Sequence, residues 1–181
     1  MTATVITFEQ ARDVALRTLG PECGLLDEHT RELAAGWYFY GQSLKFLATR
    51  DWRDLFIGLG GFVVERETGR VFQLGTAHER DEQLRWYEAG YRFRVWDLTV
   101  RAVTDRTATV QLLRRLGVTY AVTEFESGRH WRIPRPCPPE LLDQLLHDLP
   151  LAFGAVPLSY EGFRAATDST CCNIELVGVA T

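Results

Sequence analysis

Apolar residues in this chain first recur at the spacing of a helix. Phe8, Ala11, Val14, Ala15 and Leu19 fall at i, i+3 and i+4 intervals, which places them on one helical face. Thr7 and Gln10 form a capping box around the start, and Gly20-Pro21 supplies the stop, so the pattern predicts a helix over residues 8–19. From Leu25 to Gln42 the pattern turns strand-like and passes through Ala35-Gly36 into Trp37-Tyr38-Phe39-Tyr40, which predicts a hairpin. A second hairpin is expected from Phe62-Val63-Val64-Glu65-Arg66 and Arg70-Val71-Phe72-Gln73-Leu74. They flank Glu67-Thr68-Gly69, whose glycine can take the positive φ of a short bulged turn. Thr76 with Glu79 reads as another capping box, opening a helix through Leu84, Trp86 and Tyr87 that ends at Gly90. The first half therefore reads as helix, strand meander, helix.

Beyond Gly90 the pattern starts afresh. Phe93 to Ala102 alternates, with Trp96, Leu98 and Val100 on one face, as a half-buried strand does. Val110, Leu113 and Leu116 mark a helix capped by Asp105 or Thr107 and closed by Gly117. Val118 to Phe125 is a strand that Glu126-Ser127-Gly128 turns back into Arg129–Ile133. Pro134, Pro136, Pro138 and Pro139 are expected to break that sheet. Leu141, Leu142, Leu145, Leu146 and Leu149 line the next helix, a short helix near Tyr160–Ala166 follows Pro150 and Pro157, and Cys172–Val177 is a last strand. The order β-α-β-β-α-β, with one extra helix, predicts a ferredoxin-like unit. The fold class expected is thus α+β, with an N-terminal α-β-meander-α domain over 1–90 and a ferredoxin-like domain over 91–181. No flexible linker separates them at Ala89-Gly90-Tyr91, so the two are expected to pack together.

Composition supports folding and narrows the partners. With 181 residues, 46% hydrophobic and 24% charged, the chain can bury a core. A net charge of −4 makes nucleic acid an unfavourable partner, because phosphate binding needs a basic face. Of 20 basic residues only Lys45 is lysine, which favours bidentate ion pairs. No apolar run approaches the ~18 residues of a membrane span. Residues 1–8 lack the basic and apolar regions of a secretory signal, so a cytoplasmic location is expected. Cys23, Cys137, Cys171 and Cys172 have no CxxC spacing and read as free thiols.

No complete catalytic set stands out, and no cofactor or metal is expected. Cys23 lies near His29 and Cys137 near His130, but nearness along the chain does not bring a nucleophile to its base. His29, His78, His130 and His147 are scattered singly, without metal-ligand spacing. Gly58-Leu59-Gly60-Gly61 precedes a strand, where a phosphate loop would open a helix, and so reads as a turn or bulge. Thr49-Arg50-Asp51-Trp52-Arg53-Asp54 suits a solvated loop or the rim of an interface. Glu79, Asp81, Glu82 and Glu88 make one side of the second helix acidic, and Glu124 and Glu126 cluster at a hairpin beside Arg129, His130, Trp131 and Arg132. Such faces are ordinarily solvated, yet they could also steer and pair with a basic protein.

The order of elements has a counterpart in a known family. Gly36-Trp37-Tyr38-Phe39-Tyr40, then Gly58 to Val71 with its Glu67-Thr68-Gly69 turn, then Gly75-Thr76-Ala77, resembles the immunity protein 35 family over roughly residues 5–90. Within the glycine-rich stretch the family pattern carries asparagine and proline where this chain has Leu59 and Gly61. The resemblance implies a small cytosolic protein that binds and blocks a cognate toxin of a bacterial polymorphic-toxin system. Its expected partner is that toxin, with homodimerisation left open, and its candidate contact residues are Trp52, Asp81, Glu82, Glu124 and Glu126. Two alternatives come from the second half: an enzyme using Glu124, Glu126 and His130, or a ferredoxin-like module that stacks RNA bases on strand aromatics.

Overall fold

The computed structural model describes residues 5–58 and 60–179. Residues 1–4, part of the segment read as lacking a secretory signal, and Leu59, read as a departure from the family pattern, lie outside the described residues, as do 180–181. The chain divides into two compact units, Met1–Gly90 and Tyr91–Thr181.

The first unit opens with helix α1, Phe8–Leu19, whose Thr7 and Gln10 form the reciprocal capping box that the residue pattern predicts. Strands β1 (Cys23–Leu25), β2 (Arg31–Leu33), β3 (Gly36–Phe39) and β4 (Gly41–Ser43) follow, then helix α2 (Leu44–Thr49), strands β5 (Phe62–Glu65) and β6 (Val71–Gln73), and helix α3 (Arg80–Glu88). The main sheet runs β2-β3-β5-β6, all antiparallel, while β1 pairs with β4. Every residue of β3 and β5 is buried, because the sheet is covered on both faces. On one face Trp37, Phe39, Phe62 and Val64 pack with Ala11 and Ala15 of α1. On the other, Tyr38 and Val63 meet Leu74 and the α3 side chains Leu84 and Tyr87. A central strand buried on both sides needs a continuous apolar run, which Trp37-Tyr38-Phe39 and Phe62-Val63-Val64 supply. Each such side chain contributes about 1.5–3 kcal/mol of hydrophobic stabilisation.

Helix α3 begins at Arg80, later than the Thr76–Glu79 pattern suggests. The cause is the buried Gln83, whose carboxamide accepts from Gly75 N–H (2.8 Å) and donates to the carbonyls of Gly75 (2.9 Å) and His78 (2.8 Å). Backbone groups that a first helical turn would use are satisfied by this side chain instead. Gly61 enters β5 at φ +80, a value closed to proline, and a Cβ there would come within 2.3 Å of the Tyr38 hydroxyl. The departure from the family pattern at this position therefore has a conformational basis.

Glu65 at the end of β5 is a buried acid. Burial pushes its carboxyl upward, but the Arg70 guanidinium (2.8 Å) and the hydroxyls of Thr68 (2.8 Å) and Tyr87 (3.1 Å) outweigh it and hold it below the usual range. A depressed folded-state value means that the stabilisation is present above the unfolded value and lost as pH falls through the folded one. We expect stability to decline from about pH 4 downward, where an ordinary glutamate titrates. Denaturant midpoints against pH should show a shallower acid decline for Glu65→Gln than for the parent chain; parallel profiles would refute this role.

The second unit comprises β7 (Val95–Val103), α4 (Arg106–Arg115), β8 (Thr119–Glu126), β9 (Arg129–Pro136), α5 (Pro139–Leu145), β10 (Leu151–Pro157), α6 (Tyr160–Thr167) and β11 (Cys172–Gly178). Trp96, Leu98 and Val100 of β7 pack with Leu112, Leu113, Leu142 and Phe163 of the helices in a single core. Asp105 caps α4 by accepting from Ala108 N–H, and Pro139 occupies the first turn of α5.

Strand pairing departs from the ferredoxin-like expectation. A ferredoxin-like unit joins four strands in one sheet, whereas here β7 lies between β10 and β11, and β8 and β9 form a separate ribbon. Two prolines conceal β10, which begins directly after Pro150 and ends at Pro157; as an edge strand it tolerates them. Likewise β9 continues through Pro134 and Pro136 where a break was expected. Spaced two apart, these prolines turn their missing N–H groups to the side away from β8. The tight return between the two strands uses Ser127 and Gly128, both at positive φ.

Candidate docking surface

In the first unit, the segment from β4 to β5 carries large apolar side chains outward on a firmly held backbone. Ser43 caps α2 by accepting from Phe46 N–H (3.0 Å), and its hydroxyl donates to the Asp54 carbonyl at 2.6 Å. Arg50 closes the helix in the left-handed region, and Asp51 then caps a 3-10 turn over Trp52–Asp54 by accepting from Arg53 N–H (3.0 Å). Asp54 is tied back to α2 by Lys45 (2.7 Å) and the Thr49 hydroxyl (3.0 Å).

Gln42 anchors the next stretch. Its side chain is fully buried; the carboxamide accepts from Phe56 N–H at 2.7 Å and donates to the Phe56 carbonyl and the Tyr40 hydroxyl, each at 3.1 Å. One side chain thus satisfies both backbone groups of Phe56, as a neighbouring strand would. Held in this way, Trp52 is 79% exposed and Ile57 88%, with Leu44, Leu55 and Phe56 also exposed. Scattered exposed apolar residues are ordinary, but five within fourteen positions on an anchored backbone make a candidate interaction surface. Phe56 also borders a cavity of ≈ 420 Å³ lined by Leu19, Cys23 and Phe62.

The acidic residues expected to meet a partner are largely engaged within the chain. Asp81 pairs with Arg31 (2.9 Å) and Arg80 (3.3 Å), and the hydrogen bond from Arg80 is the main cause holding its carboxyl below the usual range. Glu82 lies 3.8 Å from His78. In the second unit Glu124 pairs with Arg135 at 2.7 Å, and Glu126 sits opposite Arg129. Trp52 is the expected contact residue that stands clear on the apolar surface. Leu44, Leu55, Phe56, Ile57 and the anchoring Gln42 were not anticipated, although the stretch Leu55-Phe56-Ile57 ahead of the glycines, with no place in any predicted element, was a usable signal.

Other arrangements suggested by the residue pattern are not assembled. Paired strand residues share a face, so Glu124 and Glu126 lie on one side of the ribbon and His130, paired with Phe125, on the other. Glu126 and His130 are exposed and Glu124 is half-buried. Cys137 is buried, and burial pushes its thiol upward, away from nucleophilic use. His29 packs edge-on against Tyr40. Gly58 and Gly61 both take positive φ in the lead-in to β5, with no helix following. Among the described residues no group of three or more His, Cys, Asp or Glu could hold a metal ion, and no helix is long and apolar enough to cross a membrane.

Comparison with known proteins finds one relative and one family model. The chain is similar to an uncharacterized protein, YrhB, of Escherichia coli (strain K12), at 36% identity over 53 residues, covering 29% of this chain and 56% of that protein. The chain thus spans about half the length of the curated relative it matches. No solved structure matches. The family model for immunity protein 35 matches residues 10–89, the stretch that holds both sheet faces, α1, α3 and the anchored apolar segment. The N-terminal half of the chain is therefore similar to the immunity protein 35 family.

Proposed function

We propose that this chain is an immunity protein that binds a cognate toxin protein in the cytoplasm of the producing cell and blocks it by covering its working surface. The reading rests on the family match together with one structural observation, the apolar segment around Trp52 and Ile57 that Gln42 and Ser43 hold outward. Interfaces draw most of their affinity from a few aromatic and aliphatic anchors, and anchors already fixed in place lose less entropy on binding. Trp52 is the leading anchor, with Ile57 and Leu55 beside it in sequence. Asp81 and Glu82, being paired within the chain, act at the rim, where charge governs the rate of encounter more than the strength of the complex. Blocking by coverage requires no catalytic group on the inhibitor.

Co-expression with the toxin encoded beside it provides the test. A stable complex that restores growth supports the reading; free passage of the two proteins through size-exclusion chromatography, with no protection, refutes it.

A further inference from the structure

The second unit contains a cavity of ≈ 670 Å³, bordered by Ala108, Gln111 and Arg115 of α4, by Arg164 of α6, and by Ser169 and Cys171. At its wall two cysteines stand side by side, with Cys171 Sγ and Cys172 Sγ 3.8 Å apart. The Ser169 hydroxyl lies 3.2 Å from the first sulfur and 3.5 Å from the second. Their surroundings differ. Cys172 is buried, whereas Cys171 is partly exposed at the cavity.

The charged groups that border this space are Arg115, Arg164 and Asp168. Arg164 is ion-paired with Asp168, while the Arg115 guanidinium has no carboxylate partner among the described residues. Burial pushes the Cys171 thiol upward, but hydrogen bonds from Ser169, Thr109 and Cys172 outweigh it and leave it below an ordinary thiol. For Cys172 burial prevails, and the thiol is raised. The combination is a partly exposed thiol, held below an ordinary thiol, in a recess bordered by two arginines and one aspartate, the kind of environment in which cysteines react.

We propose that this cavity admits a small disulfide bearing carboxylates, that Arg115 holds a carboxylate, and that Cys171 captures half of the molecule as a mixed disulfide. The Cys171 sulfur attacks the nearer disulfide sulfur and a new S–S bond forms. The original S–S bond breaks, its electron pair leaves on the departing thiolate, and that thiolate takes up the proton that Cys171 gave to solvent. One thiol and one disulfide become one mixed disulfide and one new thiol, with no other oxidant. A second small thiol reverses the step. Cys172, buried and with a raised thiol, supports the hydrogen-bond cluster and is not the point of attack.

Oxidised glutathione and the cationic disulfide cystamine are the probes, applied separately to the full chain, with intact mass and peptide mapping as readouts. We expect oxidised glutathione to modify Cys171 before Cys23, Cys137 or Cys172, and Arg115→Gln to slow that reaction about tenfold while leaving the cystamine rate within about twofold. Cys171→Ser should abolish the early adduct. Competition among the four thiols of the parent chain decides the matter even if that variant folds poorly. First modification at another cysteine, or an equal effect of Arg115→Gln on both probes, would overturn the proposal.

Discussion

Replacing Trp52 by alanine and Ile57 by serine together is expected to weaken capture of a cognate toxin by about a hundredfold or more, while barely moving the unfolding transition. Each is an apolar side chain more than three-quarters exposed, so its removal leaves no internal cavity. Substitutions of that kind usually change stability by within about 0.5 kcal/mol. At an interface the balance reverses, since truncating a buried anchor commonly costs about 2 kcal/mol or more and neighbouring anchors need not add. Calorimetric titration beside thermal unfolding separates the two effects. Unchanged affinity in the double variant would place the toxin elsewhere.

The second large effect is expected at Gln42. In Gln42→Ala the Phe56 N–H and carbonyl and the Tyr40 hydroxyl all lose their carboxamide partner at a partly buried site, and a fully buried side chain is removed. Stranding a buried polar group costs about 1–3 kcal/mol, so a loss of about 3–5 kcal/mol is expected once the void left by the side chain is included. Gln42→Glu should fare little better, because a carboxylate can accept from Phe56 N–H but cannot donate to its carbonyl, and it would bury a charge. Amide exchange at Phe56 should accelerate in both variants. An unchanged denaturant midpoint with an unchanged Phe56 exchange rate would remove Gln42 from the account.

Local chemistry made much of the first unit legible. The Thr7 capping box, the Gly69 turn and the unbroken apolar runs of β3 and β5 act within a few residues of themselves. Non-local pairing was harder to see. Nothing near β7 states that β11 will take its second edge, and β10 was hidden because prolines at an edge resemble prolines in a loop. The candidate site failed for a related reason. A buried glutamine looks like a surface one until its partners are known, and Asp81 looks free until Arg31, fifty residues away, is folded against it. The acidic side chains are largely engaged within the chain, whereas Leu55-Phe56-Ile57 are apolar residues left exposed.

The central claim is neutralisation by binding through the anchored apolar segment. Its most direct test is growth of cells expressing the neighbouring toxin together with either the parent chain or the Trp52→Ala/Ile57→Ser variant, both verified as folded and equally abundant. Full protection by the parent chain and little by the variant is expected, with a complex recovered only in the first case. Equal protection by both, or protection by the parent chain without any complex, would contradict it.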